Sequence, residues 1–160
     1  MLIESLQNTC VNYSTASMTV ASLYIAASDT VTNSLRWLMA TLANYPQFQE
    51  RAYAEIEDNL NKDGSVRKEK CHFVNALLLE NLRMYPVSDS LPHLTTKDVM
   101  VGGFRIPTGS PVVASYTAVM HDPQNFANPA KFDPERYLTD GKFVHDPKVC
   151  AFGIGNRNCE

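Results

Sequence analysis

Few features of this sequence would cross-link a small fold. Four cysteines occur in 160 residues, with no C-x-x-C pair and no spacing typical of zinc ligands. That pattern argues against a disulfide framework and against a zinc site built from cysteine pairs. An apolar share of 44% and a charged share of 19% exclude a disordered tail. The net charge of −3 brings no basic stripe, so we expect no nucleic-acid partner.

No apolar run in the sequence is long enough to span a bilayer. The most apolar stretch, Met18–Ala27, is about half a span and is interrupted by Thr19 and Ser22. No lysine or arginine precedes Arg36, whereas a secretory or mitochondrial signal needs early positive charge. We therefore predict no anchor and no targeting segment among these residues.

Three helices are predicted in the first half of the chain. Tyr13–Asn44 contains no proline or glycine, and its apolar residues recur on more than one side, which predicts a long and deeply buried helix. Pro46 ends that helix and opens a second one near Gln47–Leu60. A third helix over His72–Met84 is stopped by Pro86.

After the third helix the sequence changes to short β-prone runs separated by glycine and proline. The runs Val99–Val101, Phe104–Ile106 and Pro111–Tyr116 predict a small antiparallel sheet. From His121 onward, repeated prolines predict an irregular chain, which a large buried cofactor is one candidate to hold in place. No linker or repeat divides the chain. The sequence therefore predicts one domain over residues 1–160, mainly α or α+β, with a small antiparallel β-sheet.

The most specific motif is F-G-I-G-N-R-N-C at residues 152–159. Gly153 and Gly155 permit a tight loop that approaches a flat ligand closely. In an extended loop Arg157 lies on the same side as the sulfur of Cys159, where it can pair with a carboxylate while the thiolate binds a metal. A thiolate ligand to haem iron favours cleavage of the O–O bond. The alternatives are a glycine-rich surface loop, or a nucleotide loop that the missing strand–turn–helix context excludes.

A second motif, Ala26–Thr30, lies in the middle of the long helix. Thr30 can donate a hydrogen bond to the carbonyl of Ala26, which loosens the helix locally and opens a groove for water. Asp29 lies about 100° around the axis from Thr30. The pair could relay protons from solvent to a bound dioxygen. The alternative is packing of small residues beside a solvated aspartate.

Two weaker features lie further along the chain. Glu80 and Arg83 are three residues apart on one helical face and can form an ion pair, although a plain surface salt bridge would have the same spacing. His93 follows a proline and precedes two threonines, where an incidental loop histidine is the alternative to a ligand contact.

Together and in this order, the motifs resemble those of the cytochrome P450 family, which are haem-thiolate monooxygenases. The segment 152–159 is similar to the family's F-x-x-G-x-R-x-C, and Glu80–Arg83 to its E-x-x-R. Ala26–Thr30 resembles A/G-G-x-D/E-T with Ala27 in place of the usual glycine, and Phe132–Tyr137 resembles a segment containing P-E-R-F. The expected fold is a partial cytochrome P450 fold, with a long distal helix, following helices, a meander and a cysteine-ligand loop.

The segment Pro92–Asp98 is similar to the P-H-x-x-T-x-D of the microsomal, xenobiotic-metabolising branch. The resemblance implies a bound haem, with Cys159 as the iron ligand and with Arg157 and His93 paired with its propionates. The haem contacts that it implies are Ala26, His93, Phe152, Gly153, Arg157 and Cys159.

The resemblance also implies roles away from the haem contacts. Thr30 and Asp29 match the alcohol–acid pair that delivers protons during oxygen activation. Arg136 is expected to join Glu80 and Arg83 in a buried structural cluster. The residues that it implies as lining for the substrate pocket are Val87, Ser88, Asp89 and Leu91.

The activity implied is insertion of one oxygen atom from O2 into a small organic substrate. The expected electron donor is an NADPH-dependent reductase, and the expected location is the cytoplasmic face of the endoplasmic reticulum membrane. Residues 1–160 are expected to be an incomplete cytochrome P450 domain that has no N-terminal part and ends just after the ligand cysteine. The fragment alone is expected to be inactive. The alternative is a truncated, non-catalytic product that does not bind haem.

Overall fold

The computed structural model describes residues 12–90 and 92–159, and it has the expected mainly helical architecture with small antiparallel β-structure. The helices are α1 (Tyr13–Asn44), α2 (Pro46–Asp58), α3 (His72–Met84) and α4 (Tyr116–Met120). The strands are β1 (His93–Leu94), β2 (Val99–Val101), β3 (Phe104–Ile106), β4 (Pro111–Val112), β5 (Leu138–Thr139) and β6 (Lys142–Phe143). Short 3-10 turns occupy Lys68–Lys70, Pro134–Tyr137 and Gly155–Arg157.

Helix α1 has the bounds that the sequence predicts. The side-chain oxygen of Asn12 accepts a hydrogen bond from the backbone N–H of Thr15 at 2.8 Å, which caps the first turn. At the other end, Pro46 takes the first position of α2, so the chain turns directly from one helix into the next.

The prediction that α1 is deeply buried is wrong for this chain. Its buried residue among those described is Thr41, near the C-terminal end, where Leu38 and Leu42 also pack against the rest of the chain. Met18 and Leu23, further up the helix, are 71% and 65% exposed. The reason is that α2 and α3, the helices on which α1 packs, lie only beside its last turns. Despite this apolar exposure, no helix in the described part of the chain is long and apolar enough to cross a membrane.

The junction between α2 and α3 is fixed by one carboxylate. The sequence prediction carried α2 to Leu60, but Leu60 instead forms an antiparallel bridge with Val66 and turns the chain back. Glu55 of α2 then accepts hydrogen bonds from the backbone N–H groups of Phe73 and Val74 at 2.9 and 2.8 Å. These amides are unpaired donors in the first turn of α3, so Glu55 caps α3 from a neighbouring helix.

The β-structure consists of three separate two-stranded antiparallel ladders, and the runs predicted to form one sheet are divided between two of them. They pair β1 with β4, β2 with β3, and β5 with β6. The predicted strand Pro111–Tyr116 ends at Val112, because Ser115 starts a helix: its hydroxyl accepts a hydrogen bond from the N–H of Ala118 at 3.1 Å. A serine cap therefore overrides the β-prone composition of that run.

Helix α3 lies between two apolar cores and contributes to both. The first core contains Ala76, Leu79, Tyr116, Met120, Phe126, Tyr137, Val149 and Cys150. The second contains Ala52, Phe73, Leu77 and Phe132, with α1 residues at its edge. The first core joins α3 to α4 and to the segment just before residue 152, so it supports the cysteine-containing loop.

Candidate functional site

The segment Phe152–Cys159, called here the cysteine loop, is closed by backbone hydrogen bonds. The N–H of Cys159 donates to the carbonyl of Phe152 at 2.8 Å, and the N–H of Gly153 donates to the carbonyl of Cys150 at 2.9 Å. The first bond joins the two ends of the loop, and the second ties its start to the first core. The side chain of Cys159 is exposed, whereas that of Cys150 is buried. The fold therefore presents one of these two sulfurs on an open surface.

Gly153 lies against a core residue of α4. Its φ of +80° is in the left-handed region that favours glycine. A Cβ atom at this position would lie 3.3 Å from the hydroxyl oxygen of Tyr116 and 3.7 Å from Cα of Asn158. Tyr116 is buried and was not singled out from the sequence as a functional residue. Because of this close approach, the buried side chain of Tyr116 supports the backbone of the cysteine loop at Gly153.

A buried ionic network lies at the C-terminal half of α3. Arg83 and Glu80 are both fully buried and form two hydrogen bonds, from Nε to Oε2 at 2.8 Å and from Nη2 to Oε1 at 2.9 Å. Arg136 donates from Nε to Oε1 of Glu80 at 3.2 Å. The structure thus brings together the three residues that the family resemblance implies as one cluster.

The guanidinium groups of Arg83 and Arg136 also bind the irregular segment that runs from residue 121 to residue 151, called here the meander. Their other N–H groups donate to backbone carbonyl oxygens at 2.8 to 3.1 Å. The carbonyls are those of Met120 and Pro129 for Arg83, and of Ala127 and Lys131 for Arg136. Burial works to lower the pKa of Arg83, but the hydrogen bonds and charge of Glu80 raise it. Arg83 therefore stays charged. The carbonyl dipoles around the two guanidinium groups offset the positive charge that one carboxylate cannot balance.

Two members of the network were not foreseen from the sequence. The hydroxyl of Tyr137 donates to Oε2 of Glu80 at 2.9 Å, and the backbone N–H of Asp133 donates to Oε1 at 2.9 Å. Burial, together with the charge of Glu80, raises the pKa of Tyr137, so this hydroxyl keeps its proton and remains a donor. The sequence did contain one signal for the phenol: Tyr137 stands where the P-E-R-F pattern has phenylalanine.

The α1 motif lies on an open face of its helix. Thr30 Oγ1 donates to the carbonyl oxygen of Ala26 at 2.8 Å, which is the bond expected from the sequence. Asp29 is exposed beside it. Ala26 borders a shallow groove along the same helix, together with Met18 and Leu23. The structure does not bury these groups within this chain.

The remaining site residues belong to three different parts of the chain. His93 is exposed in β1, where it pairs with Val112 of β4. Arg157 belongs to the 3-10 turn of the cysteine loop, and its side chain lies outside the described part of the structure, as does Leu91. The other pocket residues, Val87, Ser88 and Asp89, are exposed, and Asp89 is bound to α4.

The comparisons with known proteins decide the family. The family model described as Cytochrome P450 matches residues 2–160. The chain belongs to the cytochrome P450 family. Cytochrome P450 1A1 of Limanda limanda is 37% identical over 148 residues, which cover 88% of this chain and 28% of that protein. The steroid 17-alpha-hydroxylase/17,20 lyase of Squalus acanthias is 34% identical over 149 residues, or 89% of this chain and 29% of that protein.

Solved cytochrome P450 structures share the architecture as well. A zebra fish cytochrome P450 solved with abiraterone superposes with a TM-score of 0.87 at 30% identity, covering 99% of this chain and 39% of that one. A structure of a zebra fish cytochrome P450 with progesterone gives a TM-score of 0.83 at 31% identity over 93% of this chain. The chain spans less than a third of the length of the curated relatives described above.

The donor atoms of this cytochrome P450 chain fit a haem. In residues 12–90 and 92–159, no group of three or more histidine, cysteine, aspartate or glutamate side chains is placed to hold a metal ion. A metal bound through the exposed sulfur of Cys159 would therefore have to bring its other ligands with it, and a porphyrin does so. Phe152 and Ile154 of the same loop are 56% and 72% exposed, so an apolar surface is available for a flat ring.

Two glycines of the loop offer a matched test of the contact with Tyr116. Gly153 and Gly155 have φ values of +80° and +81°, but no atom lies within 4 Å of a Cβ placed on Gly155. Alanine at either position meets the same backbone penalty, and only Gly153→Ala also presses on the buried tyrosine. We predict that Gly153→Ala lowers the free energy of unfolding by about 1 kcal/mol more than Gly155→Ala.

Urea unfolding of both variants measures this difference. Adding Tyr116→Phe to Gly153→Ala removes the hydroxyl and should recover most of it. Equal losses in the two alanine variants would contradict the assignment of Tyr116 as the support of the loop.

Proposed function

We propose that the chain is the haem-binding part of a cytochrome P450 monooxygenase that inserts one oxygen atom from O2 into a small organic substrate. The observation that carries the proposal is the exposed Cys159 sulfur at the end of a closed loop, in a chain of this family. Cytochrome P450 1A1 and the steroid 17-alpha-hydroxylase/17,20 lyase are among its relatives.

In this proposal the residues of the cysteine loop hold the cofactor. Bound haem would supply the iron centre at which dioxygen is activated. Cys159 would provide the thiolate ligand, with Phe152 and Gly153 against the ring. His93 and Arg157 would pair with the propionates, since a histidine and a guanidinium can both donate hydrogen bonds to carboxylates.

The residues of α1 would supply protons for oxygen activation. Ala26 leaves room beside the helix because its side chain is a single methyl group. The hydroxyl of Thr30 is already bound to the Ala26 carbonyl, which fixes its orientation next to Ala26. Asp29 is exposed to solvent beside it. The pair would move protons from solvent toward the groove.

The partners and the location belong to the proposal too. We expect an NADPH-dependent reductase as the electron donor and the cytoplasmic face of the endoplasmic reticulum membrane as the location. Val87, Ser88, Asp89 and Leu91 would border the substrate. That residues 1–160 alone do not hold haem stays a prediction, which the apolar exposure of α1 supports because exposed patches of this kind favour association over a stable monomer.

The ligand assignment is tested by exchanging two cysteines of one segment. We predict that Cys159→Ser in the full-length protein abolishes the thiolate-type spectrum of the carbon monoxide complex, because serine oxygen does not replace the sulfur. Cys150→Ala is the control, since that sulfur is buried in the first core and should leave the spectrum unchanged. A normal spectrum from Cys159→Ser would refute the assignment.

The proton relay is tested with two threonines of α1 that make the same type of bond. Thr30 donates to the Ala26 carbonyl at 2.8 Å and Thr32 to the Ser28 carbonyl at 2.6 Å. We predict that Thr30→Ala lowers product formed per NADPH consumed, because loss of a general acid–base group slows the protonation step by roughly a hundredfold or more. Thr32→Ala should stay near the parent value. Equal coupling in both variants would show that Thr30 is not in the relay.

A further inference from the structure

Asp89 connects the loop after α3 to the start of α4. Its carboxylate accepts hydrogen bonds from the hydroxyl of Ser115 at 3.0 Å and from the N–H of Thr117 at 2.9 Å, while its carbonyl accepts one from the N–H of Tyr116 at 2.7 Å. The bonds from Thr117 and Ser115 lower the pKa of Asp89. This contact, called here the Asp89 clasp, consists of Asp89, Ser115, Tyr116 and Thr117.

The clasp is the long-range attachment of an otherwise exposed segment. Val87, Ser88 and Asp89 are exposed, and Ser88 makes only a local bond, to the carbonyl of Ser90 at 3.2 Å. In the described part of the chain, the hydrogen bonds that join residues 87–90 to a distant segment are those of Asp89. The position of this segment therefore depends on polar contacts with α4 rather than on apolar burial.

On its other side α4 touches the cysteine loop. Tyr116 is part of the first core, and its hydroxyl oxygen lies 3.3 Å from a Cβ placed on Gly153. The backbone of Tyr116 is thus held by Asp89 while its side chain supports the loop that ends at Cys159. Tyr116 thus joins the two segments, the segment 87–90 through its backbone N–H and the cysteine loop through its side chain.

We propose that Asp89 is a positioning residue that couples the segment 87–90 to the cysteine loop through Tyr116. The claim that this segment borders a substrate rests on the function proposed above, whereas the coupling itself does not. The carboxylate of Asp89 is committed to hydrogen bonds with Ser115 and Thr117 at the start of α4, so it sets the position of the pocket wall instead of binding a cationic substrate.

Amide hydrogen exchange in the full-length protein, with and without haem, tests the coupling. We expect Asp89→Ala to speed exchange about three- to tenfold in two peptides, one covering residues 115–118 and one covering 152–159, as for the loss of capping hydrogen bonds. The control is Asp63→Ala, because Asp63 makes the same kind of contact, with the N–H and hydroxyl of Ser65 at 3.0 and 2.7 Å, in a separate turn. It should change exchange only near residue 65.

Two further variants separate coupling from general loss of structure. Asp89→Asn keeps an oxygen acceptor for the Thr117 N–H and should restore most of the protection in both peptides. Tyr116→Phe should speed exchange in residues 152–159 while leaving residues 115–118 protected, because its backbone bond to Asp89 remains. If Asp89→Ala unfolds the whole protein, seen as faster exchange throughout α2, the Tyr116→Phe protein decides instead. Faster exchange in residues 152–159 with residues 115–118 still protected supports the coupling, and unchanged exchange in residues 152–159 contradicts it.

The outcomes keep the two proposals distinct. Faster exchange in both peptides in a protein that never binds haem would support the coupling and refute the proposed function. An unchanged peptide 152–159 in the Asp89→Ala and Tyr116→Phe proteins would overturn the coupling, even if the haem-bound protein were an active monooxygenase.

Discussion

The structure depends on one buried carboxylate. Glu80 receives hydrogen bonds from two guanidinium groups, a phenol and a backbone amide, and it is fully shielded from solvent. An ionised group so placed is tolerated only when its partners are complete. The arginines in turn need the carbonyls of the meander, so the charges and the irregular chain stabilise each other.

This dependence explains how a segment with little regular structure can hold a functional loop in place. The meander contains short ladders and 3-10 turns, and few of its backbone groups are paired within them. Arg83 and Arg136 supply donors that regular structure would otherwise provide. Tyr137, bound to Glu80 through its hydroxyl, also belongs to the first core, which carries the support on to Cys150 at the base of the cysteine loop.

The sequence predicted the parts of the fold that proline and apolar periodicity mark. The bounds of α1 and α3 follow from uninterrupted helical patterns that end beside Pro46 and Pro86, and both are as expected. Helix α4 was missed because its five residues are too few for a periodicity, and its Ser115 cap stands in a β-prone run. The burial of α1 was overestimated because a pattern shows which faces are apolar, not what covers them.

The candidate site was predicted mostly through resemblance and only partly through physical reasoning. Spacing alone pairs Glu80 with Arg83, but no local pattern could bring in Arg136, which is far away in sequence. The clasp of Asp89 and the support from Tyr116 are contacts between distant segments and leave no periodic signal. Asp89 was read as pocket lining, and the structure shows that its carboxylate binds Ser115 and Thr117.

The most direct test of the account is the cost of breaking the Glu80 network from one side. Urea unfolding of Arg83→Met should show a loss of about 3–5 kcal/mol, because the buried carboxylate of Glu80 would lose its two-point partner. Arg105→Met is the matched control, since Arg105 pairs with Asp98 on the surface and its side chain is 73% exposed; it should change stability very little. Losses of similar small size in the two variants would contradict the claim that this network holds the meander and the cysteine loop together.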